Sequence, residues 1–363
     1  MDGGMDAVAT RQPACSIVMP CYNRAHDLRN VLAAYDRQDT AEFFELIAVD
    51  DCSTDGTFEL LAGCAPEHYS LRIFRQERNG GPGAARNRGI GEARAPLIII
   101  VGDDIRPAGD FVRKHLLAHR VFPERETAIL GSVQWADDLP QNTLMRHIDG
   151  KGAEQFSYFY LRHGQAYDYR HFYTANISVK TELLHSLDKW FDTDFVHAAF
   201  EDVELSYRLA RQGGMRIIHL ADIVGWHYHF HTIWSFAGRQ YRAGQMARLL
   251  IRKHPGLIAG FKSWAARGAG YYLASFLPRR SAESLEVLER RALSLAGRFE
   301  WDDHPALSGY YSGLLVYFFF KGWLAGILGW SGRLERVLEV HARQLGKVVR
   351  LFERELERSH TIG

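Results

Sequence analysis

"LIIIVGDDIRP", residues 97–107, sends an unbroken apolar run straight into two adjacent aspartates, Asp103 and Asp104. A buried strand rejects carboxylates, because stripping water from a charge costs several kcal/mol unless something pairs with it. The surroundings say where such a strand can end. From residue 16 to about 135 the chain alternates short apolar runs with helical stretches, the order of βαβ units and a parallel sheet. Strands are expected at 16–20, 44–50, 70–76, 97–101 and 127–133, with helices between them at about 26–37, 55–63, 82–93 and 108–121. In a doubly wound α/β sheet, loops at the carboxyl ends of the strands gather on one edge, and ligands bind there. Three of these ends carry distinctive polar residues: "PCYNR" (20–24), "DDCSTDGT" (50–57) and "GDD" (102–104). Asp103 and Asp104 are therefore expected in a crevice shared with Asp50, Asp51 and Tyr22.

The 363 residues are enough for about two domains. Lys and Arg total 44 against 43 Asp and Glu, a balance with no global field of the kind that draws nucleic acid. Cys15, Cys21, Cys52 and Cys64 form no CxxC pair and follow no secretory signal, a pattern that suits a reducing cytosol. Residues 1–13 are small and acidic and read as a frayed tail.

Each polar stretch admits a chemistry beside a plainer structural role. "PCYNRA" lacks the glycines that bring backbone to a pyrophosphate, which argues against a dinucleotide fold of the dehydrogenase type. Tyr22 could stack on a base with Asn23 and Arg24 nearby; an ordinary turn with a cap at Asn23 is the alternative. In "VDDCSTDGT" a turn and helix cap account for Asp55 and absorb Ser53. They leave Asp50 and Asp51 over, one of which could accept from a base nitrogen or a ribose hydroxyl. "NGGPGAARNRG" (79–89) joins a turn at Gly80 to a helix start, where backbone N–H groups can meet phosphate oxygens and Arg86 and Arg88 add positive charge. The Asp103–Asp104 pair suits a hard divalent cation, Mg²⁺ or Mn²⁺, that also holds a diphosphate.

Two later stretches complete the set. "FEDVELSYRLARQGG" (200–214) reads as a helix with Leu205 and Leu209 on one face and Gly213 or Gly214 as its stop. Its first turn favours Glu201 and Asp202 through the helix dipole, and a carboxylate there could also act as general base toward a hydroxyl. "WHYHFH" places His227, His229 and His231 at a period of two, on one face if the segment is extended. One of them could complete a metal site.

In this order the stretches resemble the family-two glycosyltransferases of the GT-A fold, over about residues 14–235. "SIVMPCYNR" looks like the family's opening strand and nucleotide loop. "IAVDDCSTDGT" is close to its V-D-D-G-S-x-D-G-T pattern, and "GGPGAARNRGI" to its N-x-G-x-x-x-A-R-N-x-G stretch. "FDTDFVHAAFEDVELSYRL" and "WHYHFH" are similar to its Glu-Asp motif and late histidine. The resemblance implies a GT-A type doubly wound mixed α/β sheet, a nucleotide-binding half joined to an acceptor half. It implies that Asp51, Tyr22 and Pro20 hold the nucleobase and ribose, with Asn23, Arg24, Asp50, Gly80, Arg86 and Asp103 on the nucleotide side. Asp104 would bind Mn²⁺ or Mg²⁺, assisted by His227 or His229. Asp202 would be the catalytic base and Glu201 its support at the acceptor. The reaction implied is a single displacement that inverts the anomeric carbon, carrying a sugar from a nucleoside-diphosphate sugar to a glycan or a lipid-linked glycan. One departure stands out: the first position of the family's Asp-x-Asp motif is Gly102 here.

Residues 236–363 lie outside these motifs and form an expected helical, basic and aromatic region. Between 236 and 280 there are nine Lys or Arg and no Asp or Glu, with Trp264, Tyr271, Tyr272 and Phe276 interleaved. Such a segment suits peripheral contact with an anionic membrane face through 236–330, and a helical subdomain with a solvated basic face equally. The apolar stretch 309–330 is long enough to span a bilayer, but Lys321 near its middle argues for a buried or interfacial helix. The expected enzyme is cytosolic or at the inner membrane face. A nucleotidyltransferase or a non-catalytic nucleotide-sugar or membrane-binding module are the rival readings.

Overall fold

The computed structural model describes residues 11–150, 155–257, 285–328 and 345–358. They divide into two compact units, one within Met1–Leu139 and Tyr160–His229, the other within Pro140–Phe159 and Phe230–Gly363. The chain passes from the first unit to the second after His229, and the segment 140–159 groups with the C-terminal helices.

The first unit is built on one mixed sheet. Strands β1 (Ser16–Cys21), β2 (Glu45–Asp50), β3 (Ser70–Arg75) and β4 (Leu97–Val101) are parallel, in the spatial order β3-β2-β1-β4. Helices α1 (Leu28–Asp36), α2 (Thr57–Ala62) and α3 (Pro82–Glu92) supply the crossovers. Every residue of β2 and β4 is buried. That is why both strands read as continuous apolar runs rather than alternating ones, as strands covered on both faces do. Their polar residues can only sit at the ends.

Beyond β4 the sheet turns mixed. Strand β8 (Asn176–Lys180) runs antiparallel to β4, β6 (Thr127–Trp135) antiparallel to β8, and the twelve-residue β9 (Arg216–His227) parallel to β6. Two short strands pair antiparallel with β9: β5 (Ile105–Pro107) and β7 (Ala166–Tyr167). A three-residue strand directly after "GDD" stands where the sequence suggested only a turn. Its register sets Ile105 opposite His227, and the Tyr228 N–H donates to the Asp104 carbonyl at 2.8 Å. The end of β9 is thereby fixed beside Asp104. Helix α4 (Phe111–Val121) follows β5, and α6 (Thr181–Leu184) follows β8. Helix α7 (Glu201–Gly213) buries Leu205 and Leu209 and stops at Gly214 in the left-handed region, φ 69°. Glycine takes that conformation without steric cost.

The second unit contains α5 (Thr143–Asp149), α8 (Ile233–Lys253), α9 (Leu285–Arg298), α10 (Leu307–Leu328) and α11 (345–358). A capping box between Thr232 and Ser235 starts α8. Gly244 of α8 and Gly322 of α10 let the two backbones touch: a Cβ at Gly322 would lie 1.8 Å from the Tyr241 carbonyl oxygen. Lys321, the charge that interrupts the apolar run of α10, bonds both oxygens of Glu289 on α9 at 2.7 Å. Among the described residues no helix is long and apolar enough to cross a membrane. The aromatic residues Trp264, Tyr271, Tyr272 and Phe276, and four of the nine basic residues of that segment, lie outside the described residues, as do residues 1–10 of the expected tail.

Candidate active site

Backbone donors and short polar side chains lock the loops after β1 and β2 together. The Asn23 N–H donates to Ser53 Oγ at 2.9 Å, Arg24 N–H to Thr57 Oγ1 at 2.7 Å and Ala25 N–H to Asp55 Oδ2 at 3.0 Å. In return the Thr54 N–H donates to Asn23 Oδ1 at 2.9 Å. Asn23 sits at φ 52°, a left-handed conformation that Asn tolerates better than most residues. Asp55 also accepts from its neighbour Thr57, the turn-and-cap role expected of it. Tyr22 stands out from this clamp with its side chain exposed, free to meet a planar base.

The two aspartates ending β2 divide their work. Asp50 is fully buried and occupied, by the Ser53 N–H at 3.3 Å and Arg75 Nε at 3.2 Å. Asp51 accepts from the Gly80 and Gly81 N–H groups at 2.9 and 2.8 Å. Burial pushes the Asp51 carboxyl up, and these two N–H groups pull it back. The N–H groups of the glycine turn are thus aimed at Asp51 within the protein. Gly81 has φ 81°, and a Cβ there would come 2.8 Å from the Val196 carbonyl oxygen. The turn is glycine because the loop before α7 lies directly on it.

From this turn α3 carries Arg86 inward. Its Nη1 meets Glu201 Oε1 at 2.8 Å, with both side chains nearly excluded from solvent, and its guanidinium stacks on Phe191 at 5.3 Å. The structure places Arg86 on the acid at the head of α7. The Glu201 pair secures the start of that helix, which opens at Phe200 in a left-handed conformation, φ 66°, with no side-chain cap. Asp202 follows, bonded only locally by the Val203 N–H at 2.8 Å. Burial and the neighbouring Glu201 charge push Asp202 up to about 7. A carboxyl poised there is close to ideal for taking a proton near neutrality.

The third cluster gathers at Asp103 and Asp104. Asp103 Oδ2 accepts from the Tyr22 N–H at 3.0 Å and Oδ1 lies 3.3 Å from Arg24 Nε. Asp104 Oδ2 lies 3.0 Å from Arg24 Nη2, 3.4 Å from His227 Nε2 and 3.2 Å from His229 Nδ1. Burial and the Asp104 charge push Asp103 up to about 7. Burial would raise Asp104 too, but His227 and Arg24 outweigh it and hold its carboxyl well below the usual range. The Trp135 ring stacks on His227 at 4.8 Å and fixes its plane. One ligand atom from each of Asp104, His227 and His229 lies within 4.8 Å of the others. An ionised oxygen with two imidazole nitrogens fits a borderline divalent cation such as Mn²⁺, and fits Mg²⁺ less well.

Both histidines left open by the sequence reach Asp104. His231 belongs to the second unit, with its ring edge-on to Phe236 at 5.1 Å. The strand ends at His227, and His229 lies two residues beyond it. At Gly102 a Cβ would lie 2.7 Å from Asp104 Oδ1. The Asp104 carboxylate fills the space that a side chain in the first Asp-x-Asp position would need. Trp135 and Arg75 had no signal in the sequence, since both reach their partners through strand register alone.

Residues 16–184 match the family model described as glycosyl transferase family 2. Over 300 residues the chain is 29% identical to validoxylamine A glucosyltransferase of Streptomyces hygroscopicus subsp. jinggangensis, covering 74% of this chain and 67% of that protein. It is 32% identical over 150 residues to the succinoglycan biosynthesis protein ExoO of Rhizobium meliloti, 38% of this chain and 39% of that one. Among solved structures, mannosyltransferase PcManGT from Pyrobaculum calidifontis, in complex with GDP-Man and Mn²⁺, superposes with a TM-score of 0.55 at 18% identity over 89% of each chain. The mixed sheet and its C-terminal helices share that GT-A fold. Residues 16–184 form a glycosyl transferase family 2 domain of GT-A fold, and the chain is a glycosyltransferase that draws its sugar from a nucleotide-sugar donor.

Proposed function

We propose that the chain is a metal-dependent, inverting hexosyltransferase that passes a sugar from a nucleoside-diphosphate sugar to a hydroxyl of a glycan or lipid-linked glycan. The observation that carries this reading is the convergence of Asp104, His227 and His229 to within 4.8 Å of one another. Tyr22, exposed beside the clamped loops, stacks on the base. Asp51 keeps acceptor capacity beyond the Gly80 and Gly81 N–H groups for a ring N–H or a ribose hydroxyl. Pro20 and Asn23 shape that pocket; Asp50, Gly80 and Arg86 hold its walls from behind. Asp104, His227 and His229 would hold Mn²⁺, which when bound supplies Lewis-acid stabilisation of the departing diphosphate. Mn²⁺ beside GDP-Man in PcManGT supports that choice of ion.

Asp202 takes the acceptor hydroxyl's proton as the oxygen attacks the anomeric carbon, and the bond to the diphosphate breaks on the opposite face. A carboxyl titrating near 7 is half ionised at neutral pH and strong enough as a base for a hydroxyl that loses its proton only as the new bond forms. Glu201, neutralised by Arg86, keeps the adjacent position without acting as a second base. We place the reaction at the cytosolic side, where nucleotide sugars are available to a chain with four free thiols.

The test is a hydrolysis screen over UDP-, GDP- and dTDP-sugars with and without Mn²⁺, since slow donor hydrolysis needs no acceptor. Turnover of one donor class that depends on Mn²⁺ and ceases with chelator is expected. Folded protein that releases no sugar from any donor with Mn²⁺ present overturns the proposal.

A further inference from the structure

Arg24 stands where the cation would. Its Nη2 lies 2.6 Å from His229 Nδ1 and 3.0 Å from Asp104 Oδ2, while its Nε stays 3.3 Å from Asp103. A guanidinium only donates, so at 2.6 Å the His229 Nδ1 must be the acceptor and carry no proton. It then cannot donate to Asp104 Oδ2, although only 3.2 Å separates the two atoms. Two lone-pair acceptors face each other at that distance because one positive group serves both. Those two residues belong to the three that could grip a metal ion.

We propose that Arg24 is a built-in competitor of the divalent cation: guanidinium and ion claim the same acceptors, Asp104 Oδ2 and His229 Nδ1. The inference rests on reading Asp104, His227 and His229 as the metal seat. A guanidinium and a divalent ion cannot share two acceptors 3.2 Å apart, for space and for charge. When the ion enters, Arg24 keeps Asp103, with the Asp27 charge nearby, and its freed Nη2 is open to a second anionic partner. The diphosphate of the donor is that partner, and a guanidinium fork suits phosphate oxygens. Ion and nucleotide therefore bind cooperatively through one side chain. Without nucleotide, Arg24 keeps the ion weakly held; with it, Arg24 moves from competitor to phosphate ligand. By linkage the ion tightens the nucleotide by the same factor.

The test is Mn²⁺ binding to the full chain, read by calorimetry and by the EPR signal of free Mn²⁺, with and without UDP or GDP. Arg24→Gln without nucleotide should bind Mn²⁺ at least ten-fold more tightly than the parent, and the tightening conferred by nucleotide should shrink. Arg24→Lys keeps the charge and should stay nearer the parent. Asp104→Asn should abolish binding in both backgrounds, identifying the site. An Arg24→Gln protein, folded by its melting profile, that binds Mn²⁺ no better than the parent overturns this inference and leaves the metal seat standing. No Mn²⁺ binding by parent or variant, with either nucleotide, overturns the seat itself and this inference with it.

Discussion

On the α3 side of the site each acid has donors of its own: Asp51 takes the Gly80 and Gly81 N–H groups, and Glu201 takes Arg86. On the β9 side one guanidinium is divided among Asp103, Asp104 and His229. The first arrangement pairs each acid inside the protein and holds α7 and the glycine turn in place, although among the described residues the buried Arg86 Nε and Glu201 Oε2 have no hydrogen-bond partner. The second spreads one guanidinium over acceptors from three parts of the chain. Rigid walls for positioning, beside a shared guanidinium that an arriving cation and diphosphate can redistribute, are what a two-substrate site requires.

Substitutions can break or sharpen that contrast. The largest effect is expected at Asp202, which belongs to neither group. Asp202→Asn should lower sugar transfer by about 10²- to 10⁴-fold, the range for losing a general base, with Mn²⁺ and nucleotide affinity unchanged. Steady-state rates alongside equilibrium binding check this. Arg86→Met should strand the buried Glu201 charge and cost about 3–5 kcal/mol of stability, read by denaturant unfolding. Were the α3 side only a loose surface contact, the loss would stay under about 1 kcal/mol. Asp104→Asn should leave folding intact while abolishing Mn²⁺ binding. Gly81→Ala forces a side chain into a positive-φ position against Val196 and should cost about 1–3 kcal/mol in a thermal or denaturant melt.

The smallest effect is a pH shift. If Asp202 must be ionised to accept a proton, kcat/KM rises with pH through a midpoint near 7 and is lost below it. Glu201 raises that midpoint by its negative charge and Arg86 lowers it. In Glu201→Gln the midpoint should therefore move to lower pH; an unmoved acid limb assigns it to another group.

How much of this was legible in the residues depended on the range of the cause. Strands β1 to β4 and helices α1 to α4 and α7 follow local apolar runs and the turn residues between them, and they lie within a few residues of expectation. The carboxylates at the strand ends were legible for the same reason, because a charge after a buried run has few places to go. What the residues did not disclose depends on pairings far apart in the chain. Arg86 meets Glu201 across 115 positions, and Arg24 meets His229 across 205. No local pattern tells an arginine facing phosphate from one facing a buried glutamate. Strand β5 is three residues long, too short to show a period, yet its pairing with β9 delivers His227. The Gly-rich turn resembled a phosphate cradle because glycine serves close approach of any acceptor, and here the acceptor is Asp51.

His229 is the last residue of the first compact unit, and Phe230 opens the second. A chain shortened to the sheet unit alone would therefore place a metal-ligand candidate at a free carboxyl terminus, where segments fray and a terminal carboxylate would add its own charge beside Asp104. Expression of a minimal catalytic fragment needs residues beyond 229, and a fragment stopping there that bound metal poorly would report on its new terminus more than on the site.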